Sequence, residues 1–560
     1  MSSFRSFALT ALPCAALFAP LGASAAPADS AFASINAPAG ATLAPVADTT
    51  SMRIVLSLPL RDEAGAEAYA MAVSEPGNAL YGKFLTPVQW GARFGGDAAS
   101  YEYLRNWARS NGLTVGDRTD SRATLSLGGT AGQFAKLFQT RFASFQTAIN
   151  GDGQVTLAAP QMPAALVGRV EGVIGLNSGG RFAQMVRVKP TSEPNVGTGL
   201  GGGYAPQDIR TAYNIPAQTK PTKTEIVGLF EQGGLVPSDI TTYEKQYKLP
   251  AVKVTQKGVN GSGTGVNPGV DVEACLDVDA VIGMNSAVPQ IIIYEDGKDA
   301  FSVALVDSFA AMAQDNKAKI ISVSYGLDEV MQGVAAIKAE NKALMQLAAQ
   351  GQTVFVSSGD QGAAGRTGTG LNAPDPGSQP LVVSVGGTRL NTVAATQKFS
   401  SEVVWNDLAS GYGATGGGVS SVWTIPTWQV QNGVSVAVAN GGSATFRNVP
   451  DIAAVASPYT AYSIYNAANG GWFAVGGTSV AAPVWAGMAT IINSDRVAKG
   501  LTRVGFFNPL LYQLGVTEKG FHDTIKGNNG SPGFTAGKGY DNTTGFGSVN
   551  LATFLLTVVK

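Results

Sequence analysis

Ser479 stands in Gly476-Gly477-Thr478-Ser479-Val480-Ala481-Ala482-Pro483 and opens an apolar run, Val480 to Ile492, that reads as a buried helix. A serine hydroxyl is a weak nucleophile until a neighbouring base takes its proton, and histidine usually fills that role. The chain holds one histidine, His522, and it follows the serine. If Ser479 is catalytic, a carboxylate is the better candidate for its base, which points to a serine peptidase working in acid. At the start of a helix, backbone N–H groups would also favour developing negative charge on the reacting atoms. The plain alternative is a serine that caps its helix.

Carboxylates with suitable spacing are present. Glu273 and Asp277 lie four apart on a predicted helix, hence on one face. Buried together, they would share a proton, with one pKa raised and the other held down. On a solvated face, with Asp271 and Asp279 as further members, they would do nothing of the kind. Cys275 points away from that face and reads as core. Asp360, in Ser357-Ser358-Gly359-Asp360-Gln361-Gly362, ends a predicted strand. Protonated, it could donate a hydrogen bond to an oxyanion; as an ordinary turn aspartate it would only shape the loop.

The elements that must position these residues alternate along the chain. Strands are expected at 224–230, 289–294, 319–324, 353–357 and 381–385, and helices at 272–284, 301–315 and 334–349. Near-continuous Val/Ile strands separated by helices imply an α/β fold: a mainly parallel sheet with helices on both faces. Such sheets carry their chemistry at the carboxyl ends of strands. Ahead of this lies a smaller α+β unit, with strands expected at 52–58, 113–115 and 123–127 and helices at 65–73 and 131–138. Between the two, Lys189-Pro190-Thr191-Ser192-Glu193-Pro194 and the glycines to Gly203 read as an exposed, cleavable linker.

The N-terminus has the marks of an export signal: Arg5, an apolar run from Phe7 to Leu21, and Ala23-Ser24-Ala25 as a small-residue cleavage site. Its removal leaves Cys275 as the single cysteine, so no internal disulfide can form, and stability must come from the core, from metal or from both. The formal net charge is −1 and only 14% of residues are charged, with no basic run. Nothing in that pattern suggests nucleic acid or an anionic membrane as a partner. The expected organisation is a signal peptide at 1–25, a precursor domain at 26–189, a linker with the processing region at 190–203, and an enzyme domain at 204–560.

Taken together, these residues resemble the sedolisins, serine-carboxyl peptidases with a subtilisin-like fold. Tyr81-Gly82-Lys83-Phe84-Leu85-Thr86-Pro87 and Gly172-Val173-Ile174-Gly175-Leu176 are similar to the family's activation domain. Glu273-Ala274-Cys275-Leu276-Asp277, Ser358-Gly359-Asp360-Gln361-Gly362 and Gly476-Gly477-Thr478-Ser479 are similar to its catalytic helix, oxyanion loop and nucleophile turn. The resemblance implies Ser479 as nucleophile, Glu273 as general base and acid, Asp277 as the group that orients Glu273, and Asp360 as oxyanion stabiliser. It also implies a second-layer glutamate, Glu231, whose usual tryptophan neighbour is replaced by Tyr325.

Asp523 and Asp541 flank a glycine-rich loop, and Ca²⁺ prefers carboxylate and carbonyl oxygens. By resemblance to the family's calcium loop, one Ca²⁺ ion would be held by the carboxylates of Asp523 and Asp541 and the carbonyls of Thr524, Gly537 and Gly539. His522 would then be a bystander. The expectation is a secreted, monomeric, calcium-bound acid endopeptidase, made as a self-processing precursor. It would act on protein or peptide substrates, with its own propeptide as intramolecular inhibitor and no membrane attachment after signal removal. Extracellular release is expected, with the periplasm left open. Two rivals stand beside it: a serine hydrolase using His522, and a pseudo-peptidase that kept only the fold.

Overall fold

The computed structural model describes residues 31–32, 37, 41–147, 151–179, 186–192, 194–217, 225–261, 265–266, 271–431 and 433–559. The expected signal at 1–25 lies outside them, as do Glu193 of the linker and Thr224 at the start of the first expected strand.

An eight-stranded sheet forms the centre of the larger unit. Its order is Val254–Gly258, Ile291–Glu295, Val227–Glu231, Ile320–Val323, Thr353–Ser357, Val383–Val393, Lys398–Val404, and Ile452–Val455 also pairs with Val383–Val393. Every pairing is parallel except Val383–Val393 with Lys398–Val404. That exception explains why the strand expected to stop at 385 continues: its later residues form an antiparallel hairpin. Helices Asp271–Met284, Phe301–Asp315 and Val334–Ala349 begin and end within a residue of their expected bounds. Burial on both faces accounts for the Val/Ile runs, since Ile291, Ile293, Ile320, Ile321 and Val354 to Val356 are all essentially inaccessible.

Helix Thr478–Ala498 runs beneath the sheet and packs on Asp271–Met284. Their approach is close enough that a Cβ on Gly487 would lie 2.7 Å from the Met284 Cβ, so only glycine fits that crossing.

The precursor unit holds a four-stranded antiparallel sheet in the order Thr114–Val115, Thr124–Thr130, Ser51–Ser57, Gly172–Ile174. It has its own core, including Ile54, Leu56, Leu104, Leu125, Phe134 and Phe138. Val55 and Ile174 leave that core and pack with Val303, Val306, Ala336 and Ala339 from two helices of the larger unit. Polar contacts fringe this seam: Arg53 Nε to Asp299 at 2.8 Å, Ser126 Oγ to Asp307 at 2.7 Å, and buried Lys342 to the Leu58 carbonyl at 2.8 Å.

Candidate active site

Three neighbouring strands deliver polar groups at their carboxyl ends. Val227–Glu231 ends in Glu231, Ile320–Val323 is followed by Ser324 and Tyr325, and Thr353–Ser357 is followed by Ser358, Gly359 and Asp360. Gly359 takes φ +111°, a conformation side chains rarely adopt, and this turns Asp360 toward the start of helix Thr478–Ala498. Gly477, at φ +115°, makes the corresponding turn into that helix.

Four carboxyl groups meet there around one serine. Glu231, Glu273, Asp277 and Ser479 have no accessible surface, and Asp360 is 3% exposed. The solvated acidic face is thereby excluded, for Asp271 and Asp279 are buried too. Those two face elsewhere: Asp271 Oδ2 accepts from Asn466 Nδ2 at 3.1 Å and Asp279 Oδ2 from the Tyr465 N–H at 3.2 Å. Cys275 is core, as expected, with burial pushing its thiol up out of reactive range.

Burial is the largest influence on every carboxyl of the cluster. It raises Glu273 well above the usual range, with the Asp277 charge adding to the effect and the Ser479 hydroxyl opposing it. Glu231 is raised by burial and by the charges of Asp277 and Glu273, and it shares a hydrogen bond with Asp277. Asp277 is pushed up to about 8 by burial, against the help of bonds from Ser324 and Glu231. The row Glu231–Asp277–Glu273 therefore holds shared protons, since three like charges cannot all be ionised in one buried site.

The Ser479 hydroxyl lies near Glu273 but donates to the Ser324 carbonyl at 3.3 Å, and both Glu273 oxygens lack a fully formed hydrogen bond among the described residues. A small rotation of the hydroxyl would align it with the carboxyl; catalytic bonds often tighten only when substrate binds.

Ser324 is a residue that sequence reasoning missed. Its Oγ lies 2.8 and 2.9 Å from the two Asp277 oxygens and 3.4 Å from the Ser479 carbonyl. That carbonyl forgoes the usual helical bond from four residues on, because that residue is Pro483, which has no N–H. A serine at the end of a central strand was the only signal available.

Asp360 is tied by one oxygen. Its Oδ1 accepts from the Thr478 N–H and the Thr478 hydroxyl, each at 2.8 Å, while Oδ2 is buried without a partner among the described residues. Burial pushes its carboxyl up to about 6, opposed by the Arg187 charge and the Thr478 bonds. A protonated Oδ2 would be a free donor beside the serine.

The expected metal loop is assembled from its two aspartates. Asp523 Oδ2 accepts from the Gly539 N–H at 2.8 Å and Asp541 Oδ2 from the Gly537 N–H at 3.0 Å, so both carboxylates grip the same short stretch. Asp523 Oδ1 is buried without a hydrogen-bond partner among the described residues. No cluster of three or more His, Cys, Asp or Glu side chains suited to a metal occurs among the described residues, so a cation here would draw its further ligands from other oxygens. A buried carboxylate oxygen without a donor is the kind of ligand a hard cation takes. His522 stacks on Phe399, ring centroids 3.8 Å apart, in a short ladder with Ser548–Val549.

The chain is similar to known proteins along most of its length. Residues 39–178 match the pro-kumamolisin activation domain, and residues 258–504 match the subtilase family. The chain is 33% identical to sedolisin from Pseudomonas sp. (strain 101), over 98% of its own length and 95% of that protein's. It is 29% identical to kumamolisin from Bacillus sp. (strain MN-32), over 89% and 90% of the two chains. A solved structure of Pseudomonas sedolisin, described as a serine-carboxyl proteinase complexed with two molecules of pseudo-iodotyrostatin, superposes with a TM-score of 0.57 at 30% identity. The superposition covers 64% of this chain and 98% of that one.

Proposed function

The chain belongs to the sedolisin family of serine-carboxyl peptidases, and we propose that it is a secreted endopeptidase that acts in acid through Ser479, Glu273, Asp277 and Asp360. One arrangement carries the proposal: four buried carboxyls gathered around a buried serine, with the sole histidine stacked on Phe399 in another ladder.

Ser479 Oγ attacks the peptide carbonyl while Glu273 takes its proton and later returns it to the leaving amine. Asp277, held by Ser324, orients Glu273 and tunes its charge. Asp360 donates from its protonated carboxyl to the oxyanion, which requires a pH low enough to keep that carboxyl neutral. Glu231 and Tyr325 extend the row behind Asp277.

The domain boundaries follow from the same reading. A signal at 1–25 is removed on export, the activation domain at 26–189 inhibits in cis, 190–203 is trimmed, and 204–560 acts as a monomer on protein or peptide substrates. One Ca²⁺ would be held by Asp523 and Asp541 with the carbonyls of Thr524, Gly537 and Gly539, and would supply the positive charge that offsets the two carboxylates. No helix among the described residues is long and apolar enough to cross a membrane.

The decisive assay is casein hydrolysis by processed protein across acid and neutral pH. Glu273→Gln should lose several orders of magnitude in kcat, whereas His522→Gln should keep most of its activity with calcium present. Equal losses in the two variants would favour a histidine-based hydrolase instead.

A further inference from the structure

A small pocket adjoins Asp360. Gly326 and Asp328, just past the end of strand Ile320–Val323, form one wall. Gly359 and Asp360, past the end of Thr353–Ser357, form another, and Arg366 and Pro374 complete it. Its free volume is about 10 Å³, room for roughly one water.

The loop that carries Arg366 is built to hold it there. Asn372 Nδ2 donates to the Ala364 carbonyl at 2.8 Å, the Thr369 carbonyl at 2.9 Å and Thr367 Oγ1 at 2.8 Å, which closes the loop across its base. On the pocket side, Asp328 Oδ2 accepts from the Thr367 N–H at 3.0 Å, and a Cβ on Gly365 would lie 2.5 Å from both Asp328 carboxylate oxygens. Both neighbours of Arg366 are thus seated against Asp328. Arg366 is 8% exposed and Asp328 1%.

The charges around Arg366 do not stay balanced during turnover. Burial lowers its guanidinium to about 10, opposed by the Asp328 and Asp360 charges, so it remains a cation at every pH where the enzyme would work. Asp360 must be protonated to serve an oxyanion, which withdraws one of those two anions. Burial raises Asp328 as well, with Glu329 adding to the effect and the Thr367 and Arg366 bonds opposing it. Arg187, the other cation that faces Arg366, lies on the precursor side of the linker. In the working state the pocket therefore offers a buried guanidinium with only Asp328 as a counter-charge.

Reach decides which part of a substrate enters. The carbonyl carbon attacked by Ser479 bears the oxygen that Asp360 would receive. On the acyl side the next Cα is one bond from that carbon; on the leaving side it is two bonds away, beyond the nitrogen. A pocket that shares Asp360 with the oxyanion lies within the shorter reach.

We infer that this pocket receives the side chain of the residue whose carbonyl is attacked, and that Arg366 makes it select a short side chain ending in an oxygen acceptor, Asp or Asn, and reject Lys and Arg. The inference rests on Ser479 and Asp360 acting as proposed above. A carboxylate meets the guanidinium with charge-assisted bonds, and an amide oxygen still satisfies a donor. An apolar side chain covers the guanidinium without giving it an acceptor, and a cationic one meets like charge.

The test uses full-length protein that has been acidified and allowed to process, with peptides identical except for Asp, Asn, Leu, Phe or Lys on the acyl side of the scissile bond. At about pH 5 a substrate Asp is ionised. Asp and Asn peptides should exceed Leu and Phe peptides in kcat/KM by roughly 10–100-fold, the range expected when a buried donor gains or loses its acceptor, with Lys lowest. Arg366→Met should collapse the Asp-to-Leu ratio, and Arg366→Lys, which keeps the charge, should restore most of it. Faster cleavage after Leu, Phe or Lys by wild type overturns the inference, whether or not the variants fold. An unchanged Asp-to-Leu ratio in Arg366→Met overturns the role of Arg366. If wild type hydrolyses no casein in acid, or if Ser479→Ala hydrolyses it equally well, the active-site reading falls and takes the pocket with it.

Discussion

Tyr325 donates its hydroxyl to Glu231 Oε2 at 3.0 Å, joining the carboxyl ends of two adjacent strands behind the catalytic helix. A tyrosine thus supplies a donor to the glutamate where family members commonly carry tryptophan. Tyr325→Phe leaves that oxygen buried without a donor, a loss of about 1–2 kcal/mol for a bond to a group of this kind, or roughly 5–30-fold in kcat. Tyr325→Trp should retain more activity than Tyr325→Phe. Steady-state kinetics on a peptide substrate decides it, and a Phe variant as fast as wild type would detach Glu231 from catalysis.

The pH dependence follows from Asp360. Burial pushes its carboxyl up to about 6, so below that pH it is a donor and above it an anion. Self-cleavage of the precursor should fall as pH rises through this range, and the processed enzyme, without the Arg187 charge that lowers this carboxyl, should keep its activity to a higher pH. Asp360→Asn keeps a donor at every pH, so its residual activity should persist toward neutral, while Asp360→Ala should lose roughly 10²–10³-fold throughout. Superimposable pH profiles for wild type and Asp360→Asn would move the cause to the Glu273–Asp277 pair.

A second carboxyl pair, away from the serine, should set how the fold tolerates pH. Glu340 and Asp375 are both fully buried and act on each other, with Gln332 donating to Glu340 Oε1 at 2.6 Å, Gln379 donating to Asp375 Oδ1 at 2.9 Å, and Glu329 the nearby charge. Burial raises Glu340 well above the usual range and pushes Asp375 up to about 7. Both folded values exceed the unfolded ones, so the stability they contribute is complete below about 4 and is lost as pH rises through about 7. Glu340→Gln removes one titrating carboxyl while keeping a donor for Asp375. Its melting temperature should decline less steeply than wild type between pH 4 and 8; parallel curves by calorimetry would contradict this.

Calcium should be worth measurable stability, since no disulfide can substitute for it. Binding only to the folded state raises the melting temperature by mass action. Asp541→Ala should melt lower than wild type and lose its response to added Ca²⁺, and the same titration with Mg²⁺ should have little effect on either protein. A full calcium response in Asp541→Ala would place the ion elsewhere.

Much of this site was legible in the chain because its parts are local. The turn before Ser479, the four-residue spacing of Glu273 and Asp277, and Asp360 at a strand end each declare themselves within a few residues. Apolar runs marked the central strands and the helices over 301–315 and 334–349 for the same reason. Contributions made across the fold were not legible. Ser324 hydrogen-bonds Asp277, 47 positions away, and the Arg187 charge reaches Glu273 and Asp360. In the precursor unit, helices Pro87–Arg93 and Ala98–Ser110 went unread although their caps are local: Thr86 with Gln89 forms a capping box and Asp97 caps the second. Strands Phe142–Thr147 and Gly151–Thr156 went unread because their Ser, Gln, Thr, Gly and Asp residues break any strict alternation of apolar and polar positions.

Pro483 has one further effect. By withholding the N–H that would ordinarily bond the Ser479 carbonyl, it removes one helical bond from that peptide unit, and the Ser324 hydroxyl approaches it instead. The same Ser324 Oγ touches both oxygens of Asp277. Nucleophile and carboxyl row are therefore mounted on a common fixture, the end of strand Ile320–Val323. A displacement of that strand end carries both together, so their spacing is preserved under motions that would misalign two separately mounted groups.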